Sequence, residues 1–200
     1  MERAFISESL REAAELFERY EKEPEHPRHV AILAGQLFDS LGNALGRGDE
    51  EKHILHLAAL LHDIGWFYSP TGDGHHKESA KMIARHPWKS LTPGQVALVA
   101  QVARYHRKAL PDDEKHEPYR ALEEASRNRV RELAGILRVA DALDRTHRQI
   151  VRQVEARTLP DAILLRVEAA GAWSAEREQV LKKCDLLEIA TGRKIKFAPG

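Results

Sequence analysis

Apolar residues recur along most of this chain at three- and four-residue spacing, the period of a helix with one buried face. Leu10, Ala13, Ala14, Phe17 and Tyr20 make the first stripe. It predicts a helix from about Ser7 to Lys22, with Ser7 as N-cap. Pro24 and Pro27 interrupt the pattern, and Pro27 suits the first turn of a second helix. Val30, Leu33, Ala34, Leu37, Phe38 and Leu41 carry that helix to about Leu45, where Gly46-Arg-Gly48 ends it. A third begins at Asp49, read as its cap, and includes Leu57, Leu60, Leu61 and Ile64. It closes on His62-Asp63, with Gly65 placed to cap its end.

Turn chemistry follows in Ser69-Pro-Thr-Gly-Asp-Gly74, after an aromatic run, Trp66-Phe67-Tyr68, that reads as core or cleft wall. His75-His76 opens a helix ending near His86-Pro87. Thr92-Pro93 starts the next, which ends in Arg104-Tyr-His-Arg-Lys108. After a polar loop, a long helix is expected from about Tyr119 or Glu123 to about Ile150 or beyond. Val130, Leu133, Ala134, Leu137, Ala140 and Leu143 line its apolar face, with Asp141 and Asp144 on it or at its edge. The tail changes character. Ala162–Glu168 alternates as a strand does, Trp173 to about Ile189 reads as helical, and Lys194–Phe197 is a second short strand. The fold class is mainly α: a helical bundle over 1–157, with a small α+β C-terminal appendage over 158–200 packed on it.

The 200-residue length suits one domain with a small appendage, and 42% hydrophobic residues are ample for a core. Lys and Arg (31) balance Asp and Glu (31), and the pI is near 7.2. That balance argues against extended nucleic acid or an acidic membrane surface as the main partner. The single cysteine, Cys184, rules out an internal disulfide and fits a reducing compartment. The first residues are charged and hold no apolar signal core, and no apolar run approaches the about 18 residues of a membrane span. A cytoplasmic location is the expectation.

Histidine changes the picture. There are eleven, most of them between His26 and His147 and close to expected helix ends. Histidine is the commonest metal ligand and the usual acid or base at neutral pH. The His62-Asp63 pair alone is weak evidence, because the helix dipole also favours a histidine at a C-terminus. Together with Asp141 on a mostly apolar face, it points to a metal, because an unpaired buried carboxylate is costly.

The order His26…His62-Asp63…Asp141 resembles the HD superfamily of metal-dependent phosphohydrolases. The likeness is closer to the C-terminal HD domain of the exopolyphosphatase/guanosine pentaphosphate phosphatase (Ppx/GppA) family. It rests on His26-Pro-Arg-His-Val-Ala-Ile-Leu-Ala with Leu37-Phe-Asp39, and on Ala58-Ala-Leu-Leu-His-Asp-Ile-Gly65. It continues through His75-His-Lys-Glu-Ser79, Ala103-Arg-Tyr-His-Arg-Lys108, and Leu137-Arg-Val-Ala-Asp-Ala-Leu-Asp-Arg145 with His147. In that family the phosphatase active site belongs to an N-terminal actin-like pair of domains, which nothing here resembles. The resemblance therefore implies a stand-alone HD domain rather than that polyphosphatase chemistry.

By position, the resemblance makes His26, His62, Asp63 and Asp141 metal ligands, with His29 the second choice for the first. His75 or His76, with His106, would serve a second ion. Glu78 stands where a third histidine is common, which departs from the dinuclear pattern. Nitrogen and carboxylate ligands suit Mn²⁺, Fe²⁺, Ni²⁺, Co²⁺ or Zn²⁺, with manganese favoured and one or two ions expected. The implied activity is metal-dependent hydrolysis of a phosphate ester, nucleotide or polyphosphate-type substrate, through a metal-activated water. Asp63 with His76 or His106 would be catalytic, and Arg104, Arg107, Lys108 and Arg145 would hold phosphate oxygens. The alternative is a non-catalytic module that binds phosphate, polyphosphate or (p)ppGpp and partners a separate Ppx/GppA-type phosphatase chain. A homodimer is the family habit.

Overall fold

The computed structural model describes residues 2–69 and 71–198. Its helical part comprises α1 (Glu2–Tyr20), α2 (Glu25–Leu41), α3 (Asp49–Leu61), α4 (His75–Arg85), α5 (Pro93–Arg104), a single turn α6 (Glu117–Arg120), and α7 (Glu124–Ala142). Short 3-10 turns at Asn43–Leu45 and Ile64–Phe67 follow α2 and α3. After α7 the chain runs β1 (Val151–Thr158), β2 (Ala162–Ala169), α8 (Ser174–Lys183), α9 (Asp185–Thr191) and β3 (Lys194–Phe197). The fold is mainly α with a small α+β appendage, as the apolar pattern predicts.

Helix α7 is the axis. It packs against α2, α3 and α5 on the bundle side and against α8 and α9 on the appendage side. That position explains why Val130, Leu133, Ala134, Ile136, Leu137, Val139 and Ala140 are all fully buried. Gly135 makes the α9 contact possible, because a Cβ there would lie 2.8 Å from the Leu187 Cα. The antiparallel pair β1–β2, extended by β3 parallel to β2, lies beside α2 through β1. No described helix is long and apolar enough to cross a membrane.

Several boundaries differ from the sequence reading. The long helix stops at Ala142 rather than near Ile150. Positive φ at His147 and Gln149 turns the chain there, and the Asp144 carboxylate accepts from the Gln149 N–H at 2.8 Å. The next residues form β1, whose alternation is concealed by an irregular register between Val151 and Gln153. The helix expected from Trp173 is two helices joined at Cys184. Gly48, not Asp49, takes the N-cap position of α3, and its N–H donates to Glu51 at 3.0 Å. Gly65 is no cap either, because α3 closes on His62 and Gly65 sits in the 3-10 turn pressed against α4.

Candidate metal centre

The bundle brings several helix ends to one point. His26 comes from the first turn of α2, His62 and Asp63 directly follow α3, and His75 opens α4. His106 lies just past α5, and Asp141 stands in the last turn of α7. All six are largely or fully shielded from solvent.

Each imidazole is oriented by its outer nitrogen. His62 Nδ1 donates to the Ala59 carbonyl (2.7 Å), His106 Nδ1 to the Ala103 carbonyl (2.8 Å), and His75 Nδ1 to the Gly72 carbonyl (2.9 Å). His26 Nδ1 donates to Asp144 Oδ2 at 2.8 Å. Carbonyls and carboxylates only accept, so the proton sits on Nδ1 and the Nε2 lone pair of a neutral ring faces inward. Facing those lone pairs are carboxylate oxygens. His26 Nε2 lies 3.3 Å from Asp141 Oδ1, and His62 Nε2 lies 3.6 Å from Asp63 Oδ2 and 3.8 Å from Asp141 Oδ1. His106 Nε2 is 3.6 Å from Asp63 Oδ1. His26 Nε2, His62 Nε2 and Asp63 Oδ1 are buried without a hydrogen-bond partner.

Acceptors gathered in this way repel one another unless a cation or shared protons lie between them. Among the described residues, two overlapping groups have ligand atoms within 4.8 Å of one another: His26, His62 and Asp141, and His62, Asp63 and His106. Either could hold a metal ion. His75 differs. Its Nε2 is 3.1 Å from Asp63 Oδ1 but accepts from Arg107 Nη1 at 3.2 Å.

Without a cation, protons on some of the rings offset the carboxylates. Burial alone would raise the Asp63 carboxyl, but neighbouring His62 and His75 hold it well below the usual carboxylate range. Asp141 is held low against burial by Lys183 of α8, then by His26. Burial pushes His106 far down, so its ring is neutral and its lone pair free. Burial also works against a charged His26, but Asp141 and Asp144 outweigh it and lift the ring to about 10, so without a cation His26 carries a proton on Nε2 as well, directed at Asp141, and a metal ion would take that proton's place.

The profile of the family described as Ppx/GppA phosphatase, domain III, matches residues 10–189. The chain belongs to the Ppx/GppA phosphatase domain III family. No curated protein matches it closely enough to count as a relative.

In this Ppx/GppA domain the remaining sequence candidates divide between two cavities. A mouth of about 620 Å³ reaches the centre and is lined by His26, Asp63, Trp66, Arg145, His147 and Glu21. Trp66 stacks on His75 (centroids 4.4 Å apart), and His147 on His26 (3.8 Å). Arg104, Lys108 and His76 instead line a second cavity of about 450 Å³. The His76 ring stands edge-on to His75 and His106, at 5.9 and 6.3 Å. His29, the second choice for the first ligand, instead bonds the Val151 carbonyl through its Nε2 at 2.8 Å and ties α2 to β1.

Three contributors escape a reading based on spacing alone. Asp144 orients His26, Lys183 pairs with Asp141 Oδ2, and Glu21 sits on the mouth. The Asp144 carboxylate fixes the ring that must present Nε2, and outer-shell partners of this kind typically contribute 10–100-fold to metal affinity. Asp144→Asn should weaken metal binding by about that factor. Competition with a fluorescent chelator would measure it, and wild-type affinity would remove Asp144 from the site.

Proposed function

We propose that this domain is an HD-type metal-dependent phosphohydrolase. One observation carries the reading: buried imidazole Nε2 atoms and two carboxylates converge, with the outer ring nitrogens already committed. His26, His62, Asp63 and Asp141 are the ligand set we favour, with His106 completing it or serving a second ion. The family is one of phosphatases, which supports a phosphorylated substrate. A divalent metal held there, manganese by preference, would supply Lewis acidity and a nucleophilic water at neutral pH.

The chain's own groups would do the rest. Arg145, on the mouth, holds phosphate oxygens in its planar fork. Trp66 and His147 wall the approach and narrow access for bulk water. His106 is too depressed to serve as an acid, and His76 faces the other cavity. Glu21 is the better acid. Its Oε2 is buried without a partner, and burial raises its pKa. A raised carboxyl keeps its proton to higher pH, so acid assistance to the leaving group fades as pH rises through that value. Glu21→Gln should therefore lower kcat and flatten the alkaline limb of the pH profile while metal content stays intact. An unchanged profile would dismiss Glu21.

The test of the whole reading is elemental analysis of the purified protein, followed by a phosphoester, nucleotide and polyphosphate panel with Mn²⁺. About one transition-metal ion per chain with turnover supports it. No metal, even after reconstitution with Mn²⁺, Ni²⁺ or Co²⁺, sinks it. A second reading has its own support, because the match is to one numbered domain of a phosphatase family. On that reading the domain binds a phosphorylated ligand without turnover, which the same panel run as a binding assay would reveal.

A further inference from the structure

The second cavity, of about 450 Å³, is lined by different residues from the mouth of the metal centre. Lys77, Arg104 and Lys108 line it, against a single acidic lining residue, Asp73. It takes in the first turn of α4, an 11-residue helix whose N-cap is Gly74, with φ of 83° and no side chain to offer. The early amides of α4 thus lack a side-chain cap at the positive end of the helix dipole. His76 supplies an independent sign of a ligand. It lines the same cavity, is only 7% exposed, and its Nδ1 is buried without any hydrogen-bond partner. A buried imidazole nitrogen left unmatched is costly, and in the tautomer that carries its proton on Nδ1 an incoming acceptor would satisfy it. His116 adds a second imidazole, its Nδ1 already accepting from the Asp112 N–H at 3.2 Å, which leaves Nε2–H to donate.

We propose that this cavity binds a phosphoryl group at a site separate from the metal centre. Lys77 and Arg104 provide charge, and the first turn of α4 and His76 provide directed donors. Helix N-termini joined to cations bind such groups well. Lys77, Arg104 and Lys108 outnumber Asp73 on the lining, so the field there is positive.

The site needs no metal, which separates its test from that of the metal centre. The probe is inorganic phosphate, followed by equilibrium dialysis on the protein as purified and after removal of divalent metal. We expect binding to survive metal removal and to weaken by about tenfold or more in Arg104→Gln and in Lys77→Gln, each losing a charged hydrogen bond. Both changes are conservative in size and lie on the cavity lining, and circular dichroism confirms folding. Wild-type phosphate affinity in both variants would overturn the proposal. So would binding that disappears with the metal, although that result would leave the hydrolase reading standing. The source of the phosphoryl group follows from kinetics. A KM for tripolyphosphate that rises more than the KM for a phosphomonoester assigns it to an extended substrate. Loss of phosphate binding with both KM values moving alike assigns it to a separate anion.

Discussion

Asp63→Asn should yield a folded domain that holds almost no metal and shows phosphatase turnover reduced by more than about 100-fold, beyond what loss of an outer-shell partner costs. Asp63 is the residue most involved in the centre. Its Oδ1 lies 3.1 Å from His75 Nε2 and 3.6 Å from His106 Nε2, and its Oδ2 lies 3.6 Å from His62 Nε2 and 4.0 Å from His26 Nε2. Asparagine keeps the shape and removes the charge. It also replaces one oxygen by an NH₂ donor, which can satisfy an imidazole lone pair that a metal would otherwise use. The local packing therefore has little reason to collapse while ion binding has every reason to fail. Elemental analysis beside the wild type reads the first effect and a Mn²⁺-supported phosphoester assay the second. Full metal content in the variant would remove Asp63 from the ligand set.

Gly65→Ala should be strongly destabilising. A Cβ at Gly65 would stand 2.1 Å from the His75 carbonyl oxygen and 2.4 Å from the Ser79 nitrogen. Both are backbone atoms of α4, so no side chain can swing aside. The Gly65 N–H also donates to Ser79 Oγ at 2.9 Å, a bond that needs the same close approach. Overpacking of this kind costs about 3 kcal/mol or more, which for a domain of this size lowers Tm by roughly 10 °C. The 3-10 turn would have to back away from α4, which separates Asp63 from His75 and costs metal affinity as well. Gly35→Ala is the control, because a Cβ there meets nothing within 4 Å and a helix interior favours alanine. Thermal melts of the two variants decide the matter. A Gly65→Ala protein melting with the wild type would show that the turn can move freely.

Much of this is legible in the sequence alone. The apolar stripes of α2, α3 and α7 locate the bundle because each repeats one face over several turns. Thr92-Pro93 opens α5 as its chemistry dictates, with the Gln95 N–H donating to Thr92 Oγ1 at 3.3 Å. The placement of histidines at helix ends foreshadows a cleft, since helix ends can converge without disturbing the packed faces. What stayed hidden is what depends on contacts distant in sequence. Asp144 reads as one more residue at a helix edge until its bond to His26, 118 positions away, is seen. The cations after α5 look like one cluster, yet Arg107 reaches His75 while Arg104 and Lys108 face a different cavity. Strand β1 is missed because its irregular register breaks the alternation that would announce it.

The ion pair between Lys183 and Asp141 gives the C-terminal segment a share in the electrical balance of the histidine cluster. Asp141 is buried in the bundle, and the positive charge beside it arrives from α8, outside the bundle. Shortening the chain before α8 would strand a carboxylate in a low-dielectric interior with one compensating charge fewer, a change that costs more than the pair itself is worth. The tail is therefore not a detachable extension. The charge of the centre, and with it the appetite for a cation, is set in part by whether α8 is docked.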